Sequence, residues 1–185
     1  MSLSENARRE YFLAVIQPCL EYCAVVTCTQ LSCRDRERLL ALYRRGIRAI
    51  CRAPWDADIV PLMSRLKLVK LQVRWLMKLL VFGYRCLSTP PIAANCLAQL
   101  FSSSGTHYQT RGQSTSAVRL PWRSTKCGRN ALDNRVSILW NNLPPELRCC
   151  TSTVSFKYRL KKLLSSDPSA CQHLINLAFC PASEL

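Results

Sequence analysis

Residues 34 to 52 carry the most restrictive pattern in the chain, because apolar and basic side chains recur there with the period of an α-helix. At about 100° per residue, the apolar positions gather on one side: Leu39, Leu40, Tyr43, Ile47 and Ile50. The basic positions gather on the other side, within roughly a third of the circumference: Arg34, Arg38, Arg44, Arg45, Arg48 and Arg52. Ser32 is the predicted N-cap, and Pro54 ends the helix. We therefore expect an amphipathic helix that buries one face and presents arginines on the other.

A second helix, over residues 68 to 87, is predicted to be apolar nearly all round with one narrow basic stripe. The stripe consists of Lys67, Lys70, Arg74, Lys78 and Arg85. The whole chain has 26 Lys and Arg against 11 Asp and Glu, a net charge of +15. Because such an excess repels itself unless a polyanion screens it, the charge favours phosphate backbones as partners. The alternative is a generically basic surface with no specific partner.

The remaining pattern predicts a mainly α protein. A helix is expected over residues 5 to 26, with Pro18 kinking it or ending its first part, and a short helix over residues 58 to 66. The expected order is a helical bundle, an extended basic linker, a short C-terminal helical or irregular unit, and a tail without a strong pattern. These parts correspond to residues 1–101, 102–130, 131–165 and 166–185.

Further cations lie in the linker and in the C-terminal unit. Trp122 stands in the linker among basic residues, an arrangement that single-strand binders often use: Arg111, Arg119, Arg123, Lys126 and Arg129. A last helix is expected over residues 154 to 164 with Thr153 as its cap. Lys157 and Lys161 lie on this helix and are candidate phosphate contacts.

The sequence contains no catalytic constellation. His107 and His173 have no neighbouring nucleophile or carboxylate that would indicate a triad. Asp56 and Asp58, a close pair of aspartates, fit a helix N-terminus better than two-metal chemistry. The five glycines are isolated, so they form no phosphate-binding loop. We expect a protein that is not an enzyme and needs no cofactor.

Twelve cysteines are many for a chain of 185 residues. The N-terminal segment is a poor signal peptide, and Pro18 and Glu21 interrupt the only early apolar run, which argues against a membrane span. The cysteines are therefore interpreted as reduced, mostly buried thiols of an intracellular protein in the nucleus or cytoplasm. No metal site is predicted. A small zinc-dependent regulator stays an alternative, because the spacing of four cysteines is compatible with zinc without being diagnostic: Cys19, Cys23, Cys28 and Cys33.

Two motifs carry a family resemblance. Residues 16–24 read IQPCLEYCA and include Tyr22 and Cys23, and residues 135–148 contain a Trp-Asn-x-Leu-Pro stretch formed by Trp140, Asn141, Leu143 and Pro144. Together with segments at 36–52, 66–74, 87–91 and 156–164, they resemble the region that follows the polymerase core in LINE-type (non-LTR) retrotransposon reverse transcriptases of the jockey-like broad group. Order and spacing agree over roughly residues 8 to 165.

The resemblance implies a place downstream of the polymerase palm, a thumb-like bundle, and the task of gripping RNA and DNA while chemistry occurs elsewhere. The palm motif Tyr-x-Asp-Asp is absent, so metal-dependent nucleotidyl transfer is not expected. Thr27 and Cys28 stand where family members often have tryptophan, which fits a degraded or domesticated copy as well as an active element.

The leading hypothesis is a non-catalytic C-terminal fragment that binds RNA or DNA backbones electrostatically with little sequence preference. The alternative is a protein-interaction or decayed remnant module that packed on an upstream polymerase core and has no independent activity. Its mark would be an uncovered apolar patch on the N-terminal helices.

Overall fold

The computed structural model describes residues 3–88, 99–101, 118, 120 and 123–179. The fold is mainly α, as predicted, and helices are the regular secondary structure throughout these residues. The chain divides into two compact units, Met1–Trp75 and Leu76–Leu185. The first unit contains α1 (Glu5–Tyr11), α2 (Gln17–Leu20), α3 (Ala24–Thr27), α4 (Cys33–Cys51), α5 (Ile59–Leu66) and the start of α6 (Leu71–Leu87).

Helix α4 confirms the pattern that opened the sequence analysis. The Ser32 side chain accepts a hydrogen bond from the Asp35 amide at 3.1 Å, which caps the helix as predicted. Tyr43, Ile47 and Ile50 are buried along one side. The helix ends at Arg52, which adopts a left-handed conformation with φ of 51°.

The N-terminal helix does not run to residue 26 as expected. A π-helical turn over Phe12–Ile16 joins α1 to α2, and Pro18 lies in the first turn of α2. Because Ile16 and Gln17 also have helical dihedrals, Pro18 lies inside one continuous helical stretch, and the π-helical turn directly before it lies where a proline ring disturbs the regular hydrogen bonds. Cys23 then takes a left-handed conformation with φ of 49° and separates α2 from α3.

The connection between α5 and α6 also departs from the prediction. Asp58 caps α5 by accepting a hydrogen bond from the Val60 amide at 3.1 Å. Lys67 ends this helix in a left-handed conformation, and the Leu68 amide donates back to the Met63 carbonyl at 2.9 Å. Helix α6 therefore begins at Leu71 rather than at residue 68.

The N-terminal helix is held against α4 and α5 by close packing and by two arginines. The Phe12 ring packs against Tyr43 with 5.6 Å between ring centroids. Glycine is needed at position 46 of α4, because an added Cβ there would overlap the Phe12 ring. Arg8 Nε donates to the Ile50 carbonyl at 2.8 Å, and Arg9 Nε donates to the Leu66 carbonyl at 3.0 Å.

The second unit is built around an aromatic cluster. Tyr84 of α6 stacks on Phe156 with 4.5 Å between centroids, and Trp140 lies 6.3 Å from Phe156. The Tyr84 hydroxyl donates to the Cys150 carbonyl at 2.9 Å. Around this cluster lie a 3₁₀ turn (Gln99–Phe101), α7 (Lys126–Arg129), α8 (Leu132–Asn141), α9 (Pro145–Arg148), α10 (Thr153–Ser166) and α11 (Pro168–Phe179). The predicted cap of α10, Thr153, is wrong by one residue, because the Ser152 side chain accepts the hydrogen bond from the Ser155 amide at 3.1 Å.

The predicted domain boundaries differ from the two units in three places. The division falls inside α6, whereas the sequence suggested a boundary after residue 101. Most of the expected linker lies outside the described residues, and its last part forms α7, capped by Thr125. The expected patternless tail contains α11, which packs on α8 and α10 through buried residues at helical spacing: Cys171, Leu174, Ile175 and Ala178.

The expectation that the cysteines are mostly buried is wrong for the residues that the structure describes. Among the described cysteines, Cys28, Cys86 and Cys171 are buried. Five others are exposed: Cys19, Cys23, Cys33, Cys127 and Cys149. The exposed set includes residues at helix ends and turns, where a small thiol needs no burial.

Candidate nucleic-acid interface

The arginine face of α4 is the strongest cationic surface of the first unit. Arg34, Arg45 and Arg52 are exposed along it. At about 1.5 Å per residue, the row from Arg34 to Arg52 extends over roughly 27 Å. Within the described ranges, no carboxylate pairs with any of these three side chains. Three guanidinium groups thus remain available to an external anion.

The other arginines of this face have partners. Arg38 pairs with Asp35 at 3.2 Å and Arg44 with Glu37 at 3.4 Å. The hydrogen bond from Ser32 lowers the pKa of Asp35, and the Arg38 charge adds to the effect. Both ion pairs are exposed, so each is worth only about 0–1 kcal/mol and yields easily to a phosphate.

Arg48 has a structural task. Its Nε donates to the Ala57 carbonyl at 3.0 Å, which fixes the connection between α4 and α5. Arg36 lies off the predicted face and is buried, where one of its terminal nitrogens donates to the Cys33 sulfur at 3.3 Å. Neither arginine is as accessible as Arg34, Arg45 and Arg52.

The predicted basic stripe on the second long helix is divided between α6 and the connection that precedes it. Lys67 and Lys70 lie in the connection that precedes α6, because the left-handed turn at Lys67 delays the start of the helix. Arg74 pairs through Nε with the carboxylate of Glu21, whose side chain is only 5% exposed. Arg74 therefore neutralises a buried charge, and its loss would leave that carboxylate uncompensated.

The remaining predicted cations belong to the second unit. Lys78 and Arg85 are exposed on α6 and share a face about 10 Å apart. Lys157 and Lys161 are exposed one turn apart on α10, beside Lys162, which the sequence analysis did not select. Arg123 pairs with Asp133.

The residues that carry the predicted resemblance are mostly structural. Trp140 and Leu143 are buried, and Pro144 precedes α9. The Asn141 side chain accepts from the Val118 amide at 2.9 Å and donates to the Val118 carbonyl at 2.8 Å, so it binds both backbone polar groups of Val118. Tyr22 is 80% exposed, and Cys23 forms the left-handed turn beside it. These contacts explain the Trp-Asn-x-Leu-Pro stretch as a packing motif.

Several sequence candidates cannot be placed. Trp122, Arg111, Arg119 and His107 lie outside the described residues. The predicted arrangement of an aromatic ring among linker cations therefore lies mostly outside the described residues. Arg123 and Lys126 are described, and both are exposed.

The described residues hold no cluster of three or more His, Cys, Asp or Glu side chains that could bind a metal ion. In the same ranges, no helix is long and apolar enough to cross a membrane. In the first unit, burial raises the pKa of Cys28 to about 12 and that of Tyr43 to about 12. A thiol and a phenol held neutral in this way are poor nucleophiles at neutral pH.

Comparison of the chain with protein-family models, with curated proteins and with solved structures finds no match. The function is therefore inferred from the chemistry of the exposed residues. Those residues form the row of exposed arginines on α4 and smaller basic surfaces on α6 and α10.

Proposed function

We propose that this chain is a non-catalytic C-terminal fragment of a LINE-type reverse transcriptase that binds RNA or DNA inside the cell through backbone phosphates. The observation that carries the proposal is the row of exposed arginines on α4 without carboxylate partners: Arg34, Arg45 and Arg52. A guanidinium group binds a phosphate through paired hydrogen bonds. Backbone contacts carry no direct sequence information, so we expect little sequence preference.

The charge distribution on α4 supports binding over a merely solvated face. The helix contains two carboxylates, Asp35 and Glu37, and each already pairs with a neighbouring arginine. The field along the row is therefore positive over its length. The net charge of the chain adds a long-range attraction for polyanions. The resemblance in the Trp-Asn-x-Leu-Pro segment supports the assignment to a reverse transcriptase parent.

The test is the salt dependence of binding. The affinity for a short labelled RNA, the same DNA strand and its duplex is measured between about 50 and 200 mM salt, where a backbone binder weakens steeply. In the test variant, Arg34, Arg45 and Arg52 are each changed to Gln. Because each lost phosphate contact removes about 0.7 to 0.9 from the slope of log K against log salt, we expect the slope to fall by about 2 to 3.

A matched control removes the same charge elsewhere. Arg65, Lys126 and Arg159 are exposed and lie off the α4 face, so changing all three to Gln lowers the net charge equally. We expect this control to keep most of the wild-type slope. If the slope falls equally in both variants, the α4 face contributes only through the net charge of the chain. Wild-type binding that is absent or insensitive to salt would refute the proposed function.

A second candidate function is a protein-interaction module that packed on a polymerase core. Exposed apolar side chains on the N-terminal helices favour it, since Tyr22 is 80% exposed and Val26 is 59% exposed. Such side chains on adjacent turns are typical of a surface that a partner covers.

This candidate predicts self-association that is independent of nucleic acid. Changing Tyr22 and Val26 to Ser is expected to lower the sedimentation coefficient of concentrated protein toward the monomer value, because two apolar contacts are lost. The same double change at Val154 and Tyr158 of α10, which are similarly exposed, is the control. An unchanged sedimentation profile for the Tyr22 and Val26 variant would argue against the interaction surface.

A further inference from the structure

An open groove lies between the N-terminal helix and α4 in the first unit. Its volume is about 230 Å³. Leu3, Tyr11 and Ile16 line one side, and Gly46, Ala49 and Ile50 of α4 line the other. The groove lies where the Phe12 ring packs onto Gly46, and Tyr11, which also lines it, is 58% exposed. The groove therefore combines apolar walls with one exposed aromatic ring.

A fixed cation lies in the wall of this groove. Arg8 donates from Nε to the Ile50 carbonyl at 2.8 Å and from Nη1 to the Leu3 carbonyl. Both acceptors are uncharged. In the part of the chain that the structure describes, no carboxylate pairs with Arg8 and no acceptor lies within hydrogen-bond distance of its Nη2 group. The guanidinium is thus oriented and half-buried, with donors left for an anion.

The groove opens beside the arginine row. Ala49 lines the groove, and it follows Arg45 by four residues and precedes Arg52 by three. Arg45 and Ala49 are one turn apart on α4, so their Cβ atoms are about 5–6 Å apart, and Arg52 follows at the left-handed end of the helix. An anion bound by Arg45 or Arg52 therefore lies about the length of one side chain from the apolar walls of the groove.

We propose that the groove receives an unstacked base of a single-stranded nucleic acid, with Tyr11 forming the stacking wall and Arg8 binding the adjacent phosphate. The strand then continues along Arg45 and Arg52. A duplex keeps its bases stacked inside the helix and offers only its backbone to such a surface. The inference rests on the proposed function for the backbone contacts and adds a preference for single strands.

The positive charge around the groove favours a single-stranded nucleic acid as its ligand. An apolar groove lined by a cation and bordered by an arginine row fits a ligand that joins flat apolar groups to closely spaced anions, and a single strand has both. An acidic amphipathic peptide is the other ligand of that kind, and the experiment separates the two.

The experiment compares single-stranded RNA and DNA with their duplex as probes, using Tyr11→Ala and Tyr11→Phe in the full chain. A stacked base contributes enough that we expect Tyr11→Ala to weaken single-strand binding by about 5- to 150-fold. Duplex binding and the salt slope should stay at wild-type values, because no charge is removed. Tyr11→Phe keeps the ring and should keep the affinity. Tyr158→Ala, an exposed tyrosine of the other unit, is the control.

A second variant keeps Tyr11 and closes the groove. Ala49 is exposed on α4, so Ala49→Leu leaves the core intact while placing a branched side chain in the groove. It should weaken single-strand binding without changing duplex binding. Thermal unfolding of each variant verifies that the fold is retained.

The outcomes separate the inference from the function on which it rests. Wild-type protein that binds no nucleic acid refutes both. Binding that loses its salt slope in the triple arginine variant, yet is unchanged by Tyr11→Ala and Ala49→Leu, refutes the base-binding groove alone. An acidic amphipathic peptide that binds through Tyr11 while single-strand affinity is unaffected overturns the inference in favour of a protein partner.

Discussion

Replacing Phe156 with alanine is expected to destabilise the unit Leu76–Leu185 by about 3–5 kcal/mol. The ring is wholly buried, stacks on Tyr84 and faces Trp140. Its removal takes apolar surface out of the centre of the unit and leaves a cavity between two rigid aromatic rings that relax poorly. A loss of this size approaches the whole stability of an ordinary domain.

The control for this experiment is on the same helix. Val154 lies two residues earlier on α10 and is 78% exposed, so Val154→Ala should change the stability by no more than about 0.5 kcal/mol. Urea unfolding is followed by far-UV circular dichroism, and near-UV dichroism reports the ordering of the aromatic side chains, Trp140 among them. If the two variants unfold at the same urea concentration, the aromatic cluster is not the core of this unit.

Local signals in the sequence predicted the helices whose ends are set by nearby residues. Ser32 and Asp58 cap α4 and α5 as expected, because an N-cap contacts an amide two or three residues away. The apolar side of α4 followed from its period, since Tyr43, Ile47 and Ile50 are buried. These are the features that a single segment determines by itself.

Features that depend on distant residues escaped prediction. The Glu21–Arg74 pair joins residues 53 positions apart, so nothing near Arg74 marked it as neutralised. The turn at Lys67 is left-handed, although the residue there is not the glycine or asparagine that usually indicates such a turn in a sequence. The tail helix was different, because Cys171, Leu174, Ile175 and Ala178 recur at helical spacing. A periodicity count over that segment would have found α11.

In the candidate site too, the features formed by one segment were predictable and those formed by distant residues were not. The arginine face of α4 was visible in the sequence, because its residues share one helix. The groove was not, because it needs Tyr11 and Ala49 brought together from separate helices. Gly46 gave a weak signal, since a glycine inside a strongly amphipathic helix usually has a packing reason. Here the reason is the close approach of Phe12.

Raising the pH above about 9 is expected to destabilise the unit Met1–Trp75, which contains Cys28. Burial raises the pKa of Cys28 from 9.0 to about 12, outweighing the opposite effects of backbone hydrogen bonds and Arg36. The unfolded chain loses this proton near pH 9, whereas the folded chain keeps it. The contribution of the neutral thiol is therefore complete below pH 9 and is lost as the pH rises toward 12.

The size of the effect follows from the linkage relation. At 1.36 kcal/mol per pH unit, the full interval from 9.0 to about 12 corresponds to about 4 kcal/mol. Burial also raises the pKa of Tyr43 from 10.0 to about 12, which adds a loss of the same sign above pH 10. Burial also raises the pKa of Cys86, which lies in the unit Leu76–Leu185. Between pH 9 and 10 the slope of the unit Met1–Trp75 therefore belongs mainly to Cys28.

Urea unfolding at a series of pH values between about 8 and 10.5 measures the slope. Cys28→Ala removes the buried thiol and should flatten the profile below pH 10, at the cost of a lower stability at neutral pH from the lost packing. Cys23→Ala, which removes an exposed thiol, should keep the wild-type profile. A slope that survives in Cys28→Ala would assign the alkaline loss to other groups. In the same pH range, Cys28 should resist alkylation in the folded protein and react only on unfolding, because the thiol form is a poor nucleophile.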